Sequence, residues 1–233
     1  MHTDESSGEL AVHVAAGDVT LGGTLGIPTP AGTLPSGVIL FAHGSGSSRF
    51  SPRNRFVADA LRESSFATLL LDLLTPEEES VDVRTRELRF DLQLLARRLV
   101  DAIDWLGHQE LTKALPIGLF GASTGAGAAL IAAARRPHQV QAVVSRGGRP
   151  DLAGAAALDA VRAPTLLIVG GNDEEVIDLN RAAMTHMRGA VRLEIVPGAT
   201  HVFEERGALD AVANLARRWF TDYLAPPIPS PRG

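Results

Sequence analysis

The sequence predicts an α/β fold in which helices cover both faces of an eight-stranded, mainly parallel sheet. Three observations predict it. Short apolar runs alternate along the chain with segments whose apolar residues recur every three or four positions. The length of 233 residues suits one sizeable domain, and 45% hydrophobic residues supply its core. Neither an internal repeat nor a linker divides the chain, so we expect a single domain over residues 1–224 and a proline-rich tail at 225–233.

The strands are predicted from alternating or continuous apolar runs that end in turn residues. Residues 9–16 alternate and are followed by a turn at Gly17-Asp18, which predicts an antiparallel hairpin with the next strand. Later runs, such as "GVILFAHG", are apolar throughout, which is typical of parallel strands buried on both faces. The eight predicted strands are residues 9–16, 20–28, 37–44, 66–74, 115–122, 140–148, 164–171 and 191–198.

The helices are predicted from capping residues and apolar stripes. Ser51 followed by Pro52 is an N-cap with proline at the first helical position. A polar loop is expected at 75–83, and a long helix at 82–107, whose leucines and isoleucines recur at steps of three and four. The other predicted helices are residues 51–64, 124–136, 174–188 and 207–224, with a short one at 150–161.

The composition narrows the classes of function. The chain has no cysteine, which excludes disulfides, thiolate metal sites and a cysteine nucleophile. The net charge is -5 and the basic residues form no stripe, so no nucleic-acid partner is expected. No apolar run approaches the ~18 residues that span a bilayer, and the N-terminus lacks the features of a secretory leader. We therefore expect a cytoplasmic protein without a membrane partner, with an exported protein that has lost its leader as the alternative.

The stretch "GASTG", Gly121–Gly125, lies between a predicted strand and a predicted helix. The five letters alone are weak evidence, because a chain of this composition matches the pattern by chance at odds of roughly one in eight. Their context is more specific. A sharp strand-to-helix turn strains the backbone of Ser123 and exposes its hydroxyl. The helix N-terminus also places free N–H groups and a partial positive charge beside that hydroxyl. The stretch therefore predicts a serine nucleophile, rather than a plain turn.

Two further residues complete a catalytic triad in the chain order that such sheets show, which is Ser, then Asp or Glu, then His. Asp173 follows one predicted strand and His201 follows the last, so both are expected on the same edge of the sheet as Ser123. A serine hydroxyl needs such a base, and the base needs an acid to orient it. The alternatives for the acid are Glu174, Glu175 and Asp178, and the alternative for the base is His43.

The oxyanion of the reaction needs two N–H donors. One is expected from Thr124, the residue after the nucleophile, and the other from the loop "HGSGSS" after the strand at 37–44. Ser45 is the preferred donor in that loop and Gly46 the second choice, which also makes Gly46 a candidate for contact with substrate. The predicted site is thus built from backbone amides as well as side chains.

Arg146 ends a predicted strand on the edge that carries the triad. It could hold a substrate carboxylate, but a structural ion pair with Asp72 or Asp151 is the preferred interpretation. Arg53 is a weaker candidate for the same substrate contact. The histidines and carboxylates do not show the spacing of metal ligands, so neither a metal nor another cofactor is predicted.

Four segments together resemble a known family, and they are "FAHGSGSS", "GASTG", "GGNDEE" and "PGATHVFEE". They are similar to those of the α/β-hydrolases, and within these to the dienelactone hydrolase-like esterases, over residues 10–224. The resemblance implies an α/β-hydrolase fold with Ser123 as nucleophile, Asp173 as orienting acid and His201 as base. It also implies that His43 is structural and braces the oxyanion loop.

The chain departs from that family in two respects. Typical dienelactone hydrolases carry a cysteine at the position of Ser123, so the resemblance favours general ester hydrolysis over the founding lactone substrate. Many α/β-hydrolases insert a helical lid between the strands at 140–148 and 164–171, where this chain has only about 15 residues. No large lid domain is therefore expected, and the pocket should be open under the loops at 45–55, 73–82 and 147–160.

These features predict a serine hydrolase that cleaves small carboxylic esters through an acyl-enzyme, with a small-molecule ester as its partner and no cofactor. One alternative is the same triad acting on a lactone or transferring the acyl group to an acceptor other than water. Another is a binding module that keeps the fold without catalysis. The composition predicts neither the substrate nor the oligomeric state.

Overall fold

A computed structural model describes residues 8–28 and 33–224 of the chain. Its eight strands form one sheet in the order β1-β2-β4-β3-β5-β6-β7-β8. β1 pairs antiparallel with β2, β2 pairs antiparallel with β4, and the remaining neighbours are parallel. The strands are β1 (Glu9–Ala16), β2 (Val19–Gly26), β3 (Gly37–Ala42), β4 (Phe66–Leu71), β5 (Ile117–Ala122), β6 (Val140–Arg146), β7 (Thr165–Gly170) and β8 (Val191–Val196). The predicted fold class is confirmed.

Helices cover both faces of the sheet. They are α1 (Pro52–Glu63), α2 (Pro76–Thr85), α3 (Leu92–Leu106), α4 (Thr124–Arg135), α5 (Ala155–Ala160), α6 (Glu174–Met184) and α7 (Ala208–Tyr223). One face packs against α1 and α7 through side chains such as Leu61 and Phe220. The other face packs against α3 and α4 through side chains such as Leu99 and Leu130. The central strands β3 to β7 are buried throughout except for a single residue of β6, which explains why their sequences are apolar without alternation.

The segment between β4 and α3 differs from the prediction. The expected loop at 75–83 is instead the helix α2, because Thr75 and Glu78 form a reciprocal capping box and Pro76 takes the first helical position. The acidic run that follows lies in the first turn, where the helix dipole favours negative charge.

The prediction of one long helix at 82–107 is also wrong. The chain breaks at Arg86, which adopts a left-handed conformation, and the helix α3 starts anew behind the N-cap Asp91. The buried carboxylate of Asp82 stabilises the break, because it accepts hydrogen bonds from the backbone N–H groups of Leu88 and Arg89. The side chain of Arg89 pairs with the same carboxylate. The apolar stripe of α3 remains as predicted from Leu95 onward.

The connection between β6 and β7 carries no lid. It contains a short 3₁₀ turn at Pro150–Ala153 and the helix α5, which together replace the single short helix expected at 150–161. The site at the carboxyl ends of the strands is therefore not covered by an inserted domain. Within the described ranges, none of the helices is long and apolar enough to cross a membrane. The predicted tail at 225–233 lies outside the described residues, as do residues 1–7.

Candidate active site

Ser123 lies at the turn between β5 and α4, with φ 50° and ψ -123°. A residue with a side chain rarely adopts positive φ, and such strain is concentrated at functional sites. Neighbouring backbone holds the turn in place. The N–H of Ser123 donates to the carbonyl of Arg146, and the carbonyl of Ser123 accepts from the N–H groups of Ala126 and Arg149. The strained turn presents the hydroxyl of Ser123 at the end of the sheet, as the sequence predicted.

Glycine at 125 is required by the close approach of α4 to the end of β3. A Cβ atom at Gly125 would lie about 2.5 Å from the carbonyl oxygen of Ala42 and would also collide with that of His43. Gly121 has the same function on the strand side, because a Cβ there would collide with the backbone of Ala126. The two outer glycines of "GASTG" therefore let the helix pack tightly behind the serine.

His201 bridges Ser123 and Asp173. Its Nδ1 lies 2.7 Å from Oδ2 of Asp173, and its Nε2 lies 3.3 Å from Oγ of Ser123. The side chain of Asp173 is 16% exposed and that of His201 41% exposed, so the acid is sheltered while the imidazole faces the pocket. The sequence placed the three residues on one edge of the sheet, and the structure brings their side chains into hydrogen-bonding distance. The arrangement can move a proton from the serine to the imidazole.

The loops that carry Asp173 and His201 are fastened to each other. The backbone N–H of Asn172 donates to the carbonyl of Ala199 at 2.9 Å, and its side-chain amide donates to the carbonyl of Gly198 at 3.0 Å. The N–H of Thr200 donates to the carboxylate of Glu205 at 3.0 Å. Hydrogen bonding with Thr200 lowers the pKa of Glu205, which keeps this anchor ionised. The acid and the base are thus held in register by contacts outside the triad.

The other acids near Asp173 do not reach His201. Asp178 is 79% exposed and pairs with Arg181 on the surface of α6. Glu174 and Glu175 are exposed in the first turn of the same helix. Of the four candidates from the sequence, Asp173 is the one whose carboxylate contacts the imidazole.

Two backbone segments that carry the predicted oxyanion donors lie beside the serine. Thr124 is the first residue of α4, so its N–H is one of those that no helical carbonyl accepts. Gly44 to Ser47 form a turn closed by the N–H of Ser47 and the carbonyl of Gly44, with Gly46 at φ 70°. This turn lies against the nucleophile, because a Cβ at Gly44 would contact the Cβ of Ser123 at 3.2 Å. The predicted donors Ser45 and Thr124 therefore flank Ser123, and the turn exposes Ser45 and Gly46 to the solvent.

His43 contacts the backbone on both sides of its ring, as predicted for a structural residue. Its Nδ1 lies 2.9 Å from the carbonyl of Gly44, and its Nε2 lies 3.1 Å from the backbone N–H of Leu73, which donates to it. These two bonds require a neutral ring with the proton on Nδ1. Removal of solvent from the ring lowers the pKa of His43 below 6.5. His43 thus connects the oxyanion loop to the end of β4 in its uncharged form.

We expect this histidine to make the protein less stable in acid. Because the folded pKa is lowered, the unfolded chain binds a proton below about pH 6.5 that the folded protein does not. The free energy of unfolding should therefore fall, by at most about 1.4 kcal/mol per pH unit from this group. Urea denaturation of the wild type and His43→Asn between pH 7.5 and 5 measures the effect. The stability difference between the two should shrink as the pH falls, and a constant or widening difference would contradict the assignment.

The triad opens into a pocket of about 280 Å³. Its wall is formed by the oxyanion turn, the start of α1, the elbow, the end of β6 and the loop of His201. The residues that line it are Gly44, Ser45, Ser47, Ser51, Arg53, Asn54, Ala122, Ser123, Arg146, His201 and Val202. The predicted roof at 45–55 contributes to this wall, whereas residues of the 73–82 segment line a small separate cavity behind His43. The pocket volume suits a small substrate.

The preferred sequence interpretation of Arg146, an ion pair with Asp72 or Asp151, is wrong. Asp72 pairs with Arg49 and Asp151 pairs with Arg149. Arg146 is 7% exposed and lines the pocket beside the triad. The predicted ion pair is absent because the carboxylates of Asp72 and Asp151 each pair with another arginine. Arg146 instead lies at the end of β6, beside the nucleophile.

Arg53 also lines the pocket, from the exposed first turn of α1. Asn54 beside it is a pocket residue that the sequence reasoning missed. It is 2% exposed, and its Oδ1 accepts from Nη2 of Arg146 at 3.2 Å. The sequence contained a sign of this role, because Asn54 falls in the apolar stripe of α1 together with Val57 and Leu61. A polar residue in an apolar stripe points to a buried polar partner.

No metal site emerges from the geometry. Within residues 8–28 and 33–224, no group of three or more His, Asp or Glu side chains could hold an ion. The chemistry that this arrangement offers is that of the serine, the imidazole and the backbone amides.

Comparison with known proteins places the chain in a family. The profile described as alpha/beta hydrolase domain matches residues 35–217. A dienelactone hydrolase from Anabaena variabilis is 60% identical, with a TM-score of 0.89 over 93% of this chain and 98% of that one. A serine hydrolase without lid from Xanthomonas campestris shares the fold, with 20% identity and a TM-score of 0.74 over 95% of this chain and 97% of that one.

A curated relative carries a different name. A protein from Mycobacterium tuberculosis, provisionally named a phosphoribosyl transferase, is 57% identical over 219 residues. The match covers 94% of this chain but 47% of that protein, so the chain spans about half the length of the relative. The name therefore describes a protein with a further segment of similar size that has no counterpart in the aligned residues.

Proposed function

Because the chain belongs to the alpha/beta hydrolase domain family, we propose that it is a serine hydrolase that cleaves carboxylic esters. One observation carries the proposal, and it is the hydrogen-bonded series from Ser123 through His201 to Asp173. The 2.7 Å contact between the acid and Nδ1 leaves Nε2 free to accept a proton from the serine.

The reaction proceeds through an acyl-enzyme. His201 takes the proton of Ser123 as Oγ forms a bond to the carbonyl carbon of the ester. The carbonyl oxygen becomes negative and is held by the N–H groups of Thr124 and Ser45. His201 then returns the proton to the alcohol oxygen as the bond to the carbonyl carbon breaks. A water molecule then gives a proton to His201 and attacks the same carbonyl carbon. The bond to Oγ breaks, His201 returns the proton to Ser123, and the carboxylic acid leaves.

The pocket supports a small substrate. Its volume is about 280 Å³, and no lid covers it. A lactone is an internal ester and fits the same mechanism, and the 60% identity with a protein named dienelactone hydrolase favours it as the alternative substrate class. In that case the released alcohol stays attached to the acyl group and competes with water for the acyl-enzyme. The two substrate classes use the same residues, but a lactone gives a single hydroxy acid whereas a linear ester gives an acid and a separate alcohol.

Phosphoribosyl transfer requires attack at a sugar carbon and departure of pyrophosphate, which is a different reaction from acyl transfer. The triad does not supply what that reaction needs, since it activates a hydroxyl toward a carbonyl. We therefore assign the transferase activity in the relative's name to the part of that protein that this chain does not match. Incubation of the chain with phosphoribosyl pyrophosphate and free bases checks this, and release of pyrophosphate would contradict it.

Covalent labelling tests the serine hydrolase directly. A fluorophosphonate reacts with a serine that a neighbouring base activates, and we expect stoichiometric labelling of the folded protein within minutes. Intact mass before and after reaction, followed by peptide mapping, should place the adduct on Ser123. Ser47 and Ser51 line the same pocket and are the internal comparison. Absence of an adduct on Ser123 would favour the alternative of a binding module without catalysis.

A further inference from the structure

Arg146 is a buried guanidinium without a carboxylate partner. It is 7% exposed, and among the described residues no Asp or Glu lies within ion-pair distance of it. Of its five N–H donors, one reaches Oδ1 of Asn54, and Nε is buried without a hydrogen bond. The remaining contact is weak, since the guanidinium carbon lies 6.0 Å from the ring centre of Phe203. A buried cation in this state is costly to the fold.

The position of Arg146 relates this cation to the catalytic groups. Its Cα is paired with that of Ala122, the residue before the nucleophile, and its carbonyl accepts the N–H of Ser123. The next residue, Gly147, lies against His201, because a Cβ there would be 3.6 Å from Cε1 of the imidazole. Arg146 therefore lies beside both the nucleophile and the base, in the wall of their common pocket.

A second cation, Arg53, lines the same pocket as the first. Burial, and to a smaller extent the charge of Arg53, lowers the pKa of Arg146 to about 10. Arg146 is still protonated at neutral pH, so the pocket holds two positive charges. The described residues that line this pocket include no Asp or Glu to compensate them. Two like charges that share a pocket without a counter-charge are stabilised when an anion binds between them.

We propose that this pocket binds an ester that carries a carboxylate, and that Arg146 with Arg53 holds that carboxylate while Ser123 attacks the ester. The inference rests on the proposed function, whose substrate class it names. Between a carboxylate and a phosphate we commit to the carboxylate, which is the smaller anion for a pocket of about 280 Å³, and a phosphate ester is the alternative in the test. The guanidinium fork matches the two oxygens of a carboxylate. Arg146 then determines specificity, and the cost of its burial is offset when substrate is bound.

Paired substrates of equal length test the proposal. Monomethyl succinate, glutarate and adipate carry a carboxylate on the acyl side, and methyl butanoate, pentanoate and hexanoate are their neutral counterparts. 4-Acetoxybutanoate and butyl acetate form the pair with the charge on the alcohol side, and 3-acetoxypropyl phosphate is the phosphate arm. Titration of the released acid gives kcat/KM for each. The quantity of interest is the ratio between the charged and the neutral member of a pair, since the fraction of folded enzyme cancels in it.

We expect the wild type to favour the carboxylate-bearing member of at least one pair, and Arg146→Gln to lower that ratio by about 10- to 100-fold. Arg146→Lys keeps the charge but not the fork, so its ratio should be intermediate. Arg218→Gln removes an equal charge from the exposed side of α7 and should leave the ratio as in the wild type. A purely structural role of Arg146 would lower both rates together and leave the ratio unchanged.

The other outcomes separate the two claims. Turnover of both members with a ratio near one in wild type and variant would overturn the inference while leaving ester hydrolysis intact. A preference for the phosphate arm over both carboxylate arms would overturn the assignment of the anion. If the wild type hydrolysed none of the esters, the proposed function would fail. The carboxylate site is then tested separately by ligand binding. Monomethyl adipate should then raise the melting temperature of Ser123→Ala but not of Ser123→Ala/Arg146→Gln, and equal shifts would overturn the carboxylate site.

Discussion

Ser123→Ala is expected to lower kcat/KM for a short-chain p-nitrophenyl ester by about 10⁵-fold, because removal of the nucleophile leaves only the oxyanion amides and substrate binding. His201 lies 3.3 Å from the lost hydroxyl and has no other group in the described site to activate. Initial rates over a range of enzyme concentrations measure the effect. Residual turnover within 100-fold of the wild type would show that another group attacks the ester.

Two substitutions at Ser123 distinguish loss of activity from loss of stability. Alanine keeps a Cβ and so keeps the strain of φ 50°, and we expect its melting temperature to stay near that of the wild type. Glycine adopts positive φ without this strain, so Ser123→Gly should exceed Ser123→Ala by about 1 kcal/mol in the free energy of unfolding. Both variants lack the hydroxyl and should be equally inactive. A glycine variant no more stable than alanine would indicate that the turn is unstrained.

The positions of the site residues were predictable because each follows the end of a strand. Apolar runs such as "LPIGLF" mark buried strands, and in a parallel sheet their carboxyl ends meet on one edge. Ser123, Asp173 and His201 are therefore brought together by topology, and their positions just past strand ends favoured them over alternatives such as Asp178. What the sequence did not contain is the distance between the side chains, because it depends on how the loops after three different strands pack against each other.

The breaks in regular structure were less predictable. The capping box at Thr75 was readable from its letters, yet the acidic run that follows favoured a loop over a helix. The end of that helix depends on Asp82, whose carboxylate binds backbone groups six and seven residues further on. This contact forms only after the chain has turned, so it is not visible in the sequence pattern. A prediction from the apolar stripe alone therefore started α3 too early.

The partner of Arg146 was unpredictable for a related reason. An ion pair depends on which carboxylate lies nearest after folding, and Asp72 and Asp151 each meet another arginine. The alternative that the sequence left second, contact with a substrate carboxylate, is the one that an unpaired buried guanidinium supports. The expectation that a buried charge pairs with another side chain fails most often at functional sites, where the partner is a ligand.

Asp173→Asn is expected to lower kcat by about 10⁴-fold without unfolding the protein. The carboxylate accepts the proton of Nδ1 at 2.7 Å, which leaves Nε2 unprotonated and facing the serine. An asparagine amide in its place can donate to Nδ1, and the imidazole then carries its proton on Nε2 and cannot take one from Ser123. The variant should keep its affinity for substrate, so the loss falls on kcat rather than on KM.

Asp178→Asn provides the matched control, since it makes the same chemical change five residues further along the chain. Asp178 is 79% exposed and pairs with Arg181 on the surface of α6, so we expect kcat within about twofold of the wild type. The comparison excludes a general effect of charge around α6, because one substitution removes a negative charge from its N-cap and the other removes one from within the helix. If Asp178→Asn lost activity while Asp173→Asn kept it, the acid of the triad would be Asp178 and the active enzyme would adopt a different arrangement of α6. If both variants kept their activity, His201 would work without an orienting acid, and the 2.7 Å contact would serve only to position the loop.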